Sequence, residues 1–94
     1  MKKTNVSLKF PSQFSTYINN IETLEFKGDR MSDFVEELES IYGNIKERLF
    51  DTEGKVKPYI NIFVGKKNIE SLQGLNSIIP DGERISLLLS RAGG

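Results

Sequence analysis

One stretch of helical periodicity lies between runs that alternate polar and apolar residues, and this pattern limits what the chain can fold into. From Ser32 onward, Phe34, Leu38, Ile41, Ile45 and Leu49 follow one another at steps of four, three, four and four. That spacing makes one apolar stripe on a helix. Before it, Asn5-Val6-Ser7-Leu8-Lys9-Phe10 and Glu22-Thr23-Leu24-Glu25-Phe26 alternate with period two, as half-buried strands do. The moderate loop between them suggests a hairpin with a generous turn. After the helix, Ile60-Asn61-Ile62-Phe63-Val64 is rich in β-branched residues. A final run, Glu83–Leu89, sets Ile85, Leu87 and Leu89 on one face. The expected order is β-β-α-β-β: an α+β domain in which one main helix covers a small mixed sheet.

Punctuation residues set the expected boundaries. Pro11-Ser12 ends the first strand, and Lys27-Gly28-Asp29-Arg30 breaks the second. Ser32 is the expected helix cap, with Asp33, Glu36 and Glu37 complementing the positive end of the helix dipole. Gly43 is expected to stop the helix in the left-handed conformation, leaving residues 44–50 as a shorter helical piece carrying Lys46 and Arg48. Asp51-Thr52-Glu53-Gly54 reads as a turn, and Gly65 closes the strand before it. Residues 71–75 read as a 3₁₀ turn or irregular chain, and Pro80-Asp81-Gly82 as a firm turn.

Composition narrows the chemistry. The 94 residues suit one domain, and 37% apolar with 28% charged residues suits a globular one. Thirteen basic residues balance thirteen acidic ones, so the basic footprint of a nucleic-acid binder is missing. With no cysteine and no histidine, disulfides, thiol nucleophiles, Cys-rich metal sites and the commonest general base are excluded. No metal site is expected. The longest apolar runs, such as Leu87-Leu88-Leu89, are far too short to span a bilayer. Met1-Lys2-Lys3-Thr4 is not followed by the apolar core of a secretory signal. The expected location is the cytoplasm, with neither nucleic acid nor membrane as partner.

The last residues carry the chemical expectation. The domain is expected to span residues 1–89, and Ser90-Arg91-Ala92-Gly93-Gly94 to form an unanchored C-terminal tail. Without Cβ atoms, an extended Gly93-Gly94 segment can thread a channel too narrow for any side chain. The α-carboxylate of Gly94 is then the group presented at the tip. A carboxylate is a poor electrophile until it is adenylated or converted to a thioester, and no phosphate-cradling GxxxxGK[ST] or GxGxxG motif is present. Activation therefore belongs to another protein.

Three stretches, taken with this order of elements, carry a resemblance. They are Lys46-Glu47-Arg48-Leu49-Phe50-Asp51 running into Lys57-Pro58-Tyr59-Ile60-Asn61-Ile62-Phe63-Val64; residues 69–75 with Gly74-Leu75-Asn76; and Pro80-Asp81-Gly82 leading through Ile85-Ser86-Leu87 to Ala92-Gly93-Gly94. Together they resemble the β-grasp, ubiquitin-like sulfur carriers of the MoaD/ThiS superfamily, and best the longer MoaD-like and CysO-like members. The match covers most of residues 46–94, while the first 45 residues agree in pattern only. The resemblance implies a β-grasp fold and a carrier cycle. A ubiquitin-activating-enzyme-like adenylyltransferase would use ATP to adenylate Gly94, with Gly93 giving access. A sulfur donor (a sulfurtransferase or cysteine desulfurase) would leave a thiocarboxylate. The large subunit of an acceptor synthase would then pass the sulfur to molybdopterin, cysteine, thiazole or another acceptor. The chain itself would be a co-substrate rather than an enzyme, able to serve as the small subunit of a synthase and holding no cofactor. In these carriers a proline or small apolar residues often precede Ala-Gly-Gly. Here Leu89-Ser90-Arg91 stands instead, and Arg91 adds a charge beside the reactive end.

A docking face is expected beside the tail. By alternation Phe63 points away from Ile60, Ile62 and Val64, and Leu88 away from Ile85, Leu87 and Leu89. If the two strands are neighbours, Phe63 and Leu88 form an exposed apolar pair, with Arg91 and Ala92 as further partner contacts. Glu36, Glu37 and Glu39 read as a solvated helix face, Lys66-Lys67 and Lys55/Lys57 as soluble surface, and Phe10, Phe14, Tyr17, Phe26 and Phe34 as core or its border. The same tail also suits a protein modifier joined through Gly94 to target lysines. An adaptor using only the Phe63/Leu88 face is a third reading.

Overall fold

A computed structural model describes residues 2–12 and 23–90. Five strands form one sheet: β1 (Lys3–Lys9), β2 (Thr23–Lys27), β3 (Ile60–Val64), β4 (Lys67–Asn68) and β5 (Glu83–Leu89). Their spatial order is β2-β1-β5-β3-β4. The β1–β5 pair is parallel and the other three pairs are antiparallel, so the sheet is mixed, as expected. Two helices, α1 (Met31–Tyr42) and α2 (Ile45–Leu49), lie between β2 and β3 in the chain. Val6, Phe26, Ile60, Ile62, Val64, Ile85 and Leu87 point from the sheet into a core completed by Met31, Phe34, Val35, Leu38, Ile45 and Leu49. Phe26 and Phe34 meet edge to face, with ring centroids 5.7 Å apart, a geometry that adds to simple burial. Phe10 packs against this core, whereas Phe14 and Tyr17 lie outside the described residues.

The helix boundaries correct the sequence reading in two places. Arg30, not Ser32, is the N-cap of α1. The Asp33 carboxylate reaches back to accept the amides of Asp29 (3.2 Å) and Arg30 (3.1 Å), so the third helical residue satisfies donors that Ser32, already inside the first turn, cannot reach. At the other end Gly43 does have a positive φ of 68°, but its ψ of 147° is not left-handed helical; Asn44, at φ 58° and ψ 4°, holds that conformation. Two successive positive-φ residues break the helix. Ile41, expected on the buried stripe, is 47% exposed, and Ile45 fills the core after the break. Glu39 is also more than solvated surface, because its carboxylate accepts the Asn44 (3.1 Å) and Lys46 (2.8 Å) amides at the start of α2.

From β3 onward the chain largely follows its punctuation. Gly65 at φ 62° opens a two-residue turn, and Val64 pairs with Lys67 across it. The resulting β4 is only two residues long and has no alternation to reveal it. Short 3₁₀ turns at Ile69–Ser71 and Gly74–Asn76 lead to the Pro80-Asp81-Gly82 turn. There the Gly82 amide donates to the Asn5 carbonyl at 2.6 Å, and the Asn5 amide donates to the Asp81 carboxylate at 2.7 Å. Both bonds tie the start of β5 to β1.

Candidate functional site

The candidate site is the far end of β5 and the sheet face around it. β5 is the central strand, and its neighbours do not flank it equally. Its first half, Glu83–Ser86, pairs with Val6–Lys9 of β1, while Ile85–Leu89 pair with Ile60–Val64 of β3. Beyond Ser86, β5 therefore has a ladder partner on one side only. Pro11, which lacks an amide proton, follows β1 at that point. The chain thus reaches its tail from the middle of the sheet, carried over its last residues by β3 alone.

Ser90, expected to be unanchored, is still tied to the fold. Its amide donates to the Tyr59 carbonyl at 2.9 Å and its hydroxyl to the same oxygen at 3.4 Å. Arg91, Ala92, Gly93 and Gly94 lie outside the described residues. Geometry alone limits how far they can extend the carboxylate. Gly94 stands six positions beyond Leu88, a reach of at most about 20 Å.

The expected apolar pair occurs on the outer face. Ile60, Ile62, Val64, Ile85 and Leu87 are buried, which turns Asn61, Phe63, Arg84, Ser86 and Leu88 outward. Phe63 pairs with Ser86 and Leu88 with Asn61, so Phe63 and Leu88 are diagonal neighbours within reach of long side chains. Leu88 is 49% exposed, and Phe63 is half-buried. They share a groove of about 330 Å³ with Lys9, Gly65, Lys66 and Ser86. Sequence reasoning missed Lys9 and Ser86 because the register that joins them, Lys9 beside Ser86, is a parallel pairing between strands far apart in the chain. It also missed Tyr59, 43% exposed and the anchor of Ser90, which local alternation does not mark.

The turn after α2 belongs to the support of β3. Asp51 accepts the Glu53 and Lys55 amides, both at 2.9 Å. The Lys55 amide does most to hold the Asp51 carboxyl below the usual carboxylate range; desolvation opposes it, and the Glu53 amide and Lys55 charge reinforce it. Phe50 then bridges Val56, and the Lys57 amide reaches the Leu49 carbonyl at 3.0 Å. Among the described residues no group of three acidic side chains is arranged to hold a metal ion, and no helix is long and apolar enough to cross a membrane.

No family model matches the chain. Individual proteins do. The sulfur carrier protein CysO of Mycobacterium tuberculosis is 29% identical over 92 residues, which cover 96% of this chain and 99% of that one. The CysO-type structure from a BexX/CysO complex of Amycolatopsis orientalis superposes with a TM-score of 0.79 at 28% identity, covering 95% of this chain and 99% of the other. Small archaeal modifier protein 3 of Haloferax volcanii is 30% identical over 64 residues, 68% of each chain. With the β-grasp sheet and its exposed tail-side face, these likenesses establish that the chain belongs to the ubiquitin-like, MoaD/ThiS-type sulfur carrier family.

Proposed function

We propose that this chain is a sulfur carrier whose working group is the α-carboxylate of Gly94. The observation that carries the reading is the course of β5: the central strand of a β-grasp sheet runs, past an outward-facing Phe63/Leu88 pair, to Ser90, four residues before Gly94 in the sequence. In the cycle, a Gly94 carboxylate oxygen attacks the α-phosphate of ATP on a partner adenylyltransferase and pyrophosphate leaves. The terminal sulfur of a donor-protein persulfide then displaces AMP to give an acyl disulfide, and a second thiol cleaves its S–S bond, forming a disulfide and releasing the thiocarboxylate that an acceptor synthase consumes. This chain supplies the electrophile and a docking surface; the partners supply nucleotide, base and sulfur. It binds no cofactor of its own, and the cytoplasm, where ATP is available, is the compartment the cycle requires. Phe63 and Leu88 form the apolar centre of docking, Arg91 and Ala92 the neck between fold and reactive end, and Gly93 the slim segment that enters the partner's channel. As the small subunit of a synthase, the chain would insert the same end.

Intact mass spectrometry after incubation with a cognate adenylating enzyme, ATP and a sulfur donor tests this reading. One oxygen-for-sulfur exchange, lost on deletion of Gly94, is the expected result; an unchanged mass would contradict it. The likeness to a small archaeal modifier favours a second use of the same carboxylate, amide formation with target lysines. That use predicts Gly-Gly remnants on lysines of other proteins after proteolysis.

A further inference from the structure

The chain is neutral overall, yet α1 and the outer sheet face differ in the sign of their charge. α1 carries Asp33, Glu36, Glu37 and Glu39 and no basic residue, and only Glu36 among them has an ion-pair partner among the described residues, Lys46 of α2 at 3.2 Å. The outer sheet face is the reverse. Lys9 of β1, Arg84 of β5 and Lys66 of the β3–β4 turn surround the Phe63/Leu88 groove or adjoin it, and none makes an ion pair with another described residue. Glu83, beside Arg84 in β5, has its carboxylate close to Gly65 and accepts the Arg84 amide at 2.9 Å. Farther along the face Glu25 lies 3.9 Å from Lys3 and the Asp81 carboxylate meets Asn5, so the excess of positive charge is local to the groove.

An apolar centre with a rim of one charge sign calls for a complementary partner. Like charge at the rim disfavours wrong partners, and opposite charge speeds encounter. We infer that the protein that docks on the sheet face does so through an apolar projection flanked by carboxylates, which meet Lys9, Lys66 and Arg84, and that the acidic α1 face turns the same partner away. The inference rests on the carrier reading only for the identity of that partner, the adenylating enzyme.

Two measurements with the full chain and the adenylating enzyme of the same organism test it: ATP-dependent pyrophosphate release, and fluorescence polarisation of the labelled chain. Reversing the three bases together (K9E/K66E/R84E) should raise KM and the dissociation constant roughly tenfold, with kcat within about twofold of the wild type. Added salt should weaken the wild type and not the triple variant. E36K/E37K on α1 should bind at least as well as the wild type. Circular dichroism melts confirm that each variant is folded; Lys9, Glu36, Lys66 and Arg84 are exposed, Glu37 is half-buried, and none belongs to the core. Turnover that ignores both salt and charge reversal, or equal weakening by the α1 variant, would overturn the acidic partner and keep the carrier. Charge-sensitive binding without Gly94-dependent turnover would keep the acidic partner and overturn the carrier chemistry. Absence of both would overturn both.

Discussion

The two ends of β5 are built differently. At its start, the Pro80-Asp81-Gly82 turn is fastened to β1 by the Asn5–Asp81 and Gly82–Asn5 bonds, Glu83–Ser86 pair with β1, and the Gly65 amide donates to the Arg84 carbonyl at 2.8 Å from the β3 side. At its finish only β3 pairs with it, and the last described tie is Ser90 to the Tyr59 carbonyl. The strand is thus held by more contacts at its start than at its finish. The difference also separates stability from docking along one strand, because Leu87 is buried while Leu88 is 49% exposed.

Substitutions along β5 can break this comparison. The largest effect is expected at the core: Leu87→Ala should lower unfolding free energy by about 2–5 kcal/mol in urea titrations. Leu88→Ala, one residue on, should change it by less than about 0.5 kcal/mol while weakening capture by the adenylating enzyme. Equal destabilisation by the two would mean that the outward face is not a surface. At the firm end, Asp81→Ala should cost about 1 kcal/mol, and Gly82→Ala a similar amount because a Cβ at φ 85° is strained. At the light end, Ser90→Ala loses only the 3.4 Å hydroxyl contact and should leave the melting curve nearly unchanged. A larger loss there than at Asp81 would reverse the assignment of firm and light ends.

The smallest effect expected is a pH dependence away from β5. The Asp51 carboxyl lies below its ordinary value in the fold, so its contribution is present above the unfolded-state pKa near 4 and is lost as pH falls through the folded one. Urea midpoints at neutral pH and near pH 3 should therefore differ less for Asp51→Asn than for the wild type.

Much of this comparison was legible in the sequence where signals are local. β3 and β5 have the bounds expected of them, because alternation and the Gly65 and Pro80-Asp81-Gly82 turns act within a few residues. The N-terminal strand begins at Lys3, two residues ahead of its apolar alternation. Thr4 is buried there with its hydroxyl donating to the Gly28 carbonyl at 2.6 Å, a polar contact that hydrophobicity cannot foretell. The cap of α1 was misplaced because Ser32 has the right chemistry at the wrong position, and Asp33 does the work from inside the helix. At the site, Phe63 and Leu88 followed from parity. Their surroundings did not, since Lys9 and Ser86 come together only through the parallel β1–β5 register.

In the proposed cycle the reactive group is the main-chain carboxylate of Gly94, five residues beyond β5. Top-down mass spectrometry of the chain isolated from its own cells, with fragmentation that localises every mass change, tests it most directly. A sulfur-for-oxygen exchange confined to Gly94 is the predicted result. A carboxylate that stays unmodified while the pathway runs, or a modification on a side chain instead, would contradict it.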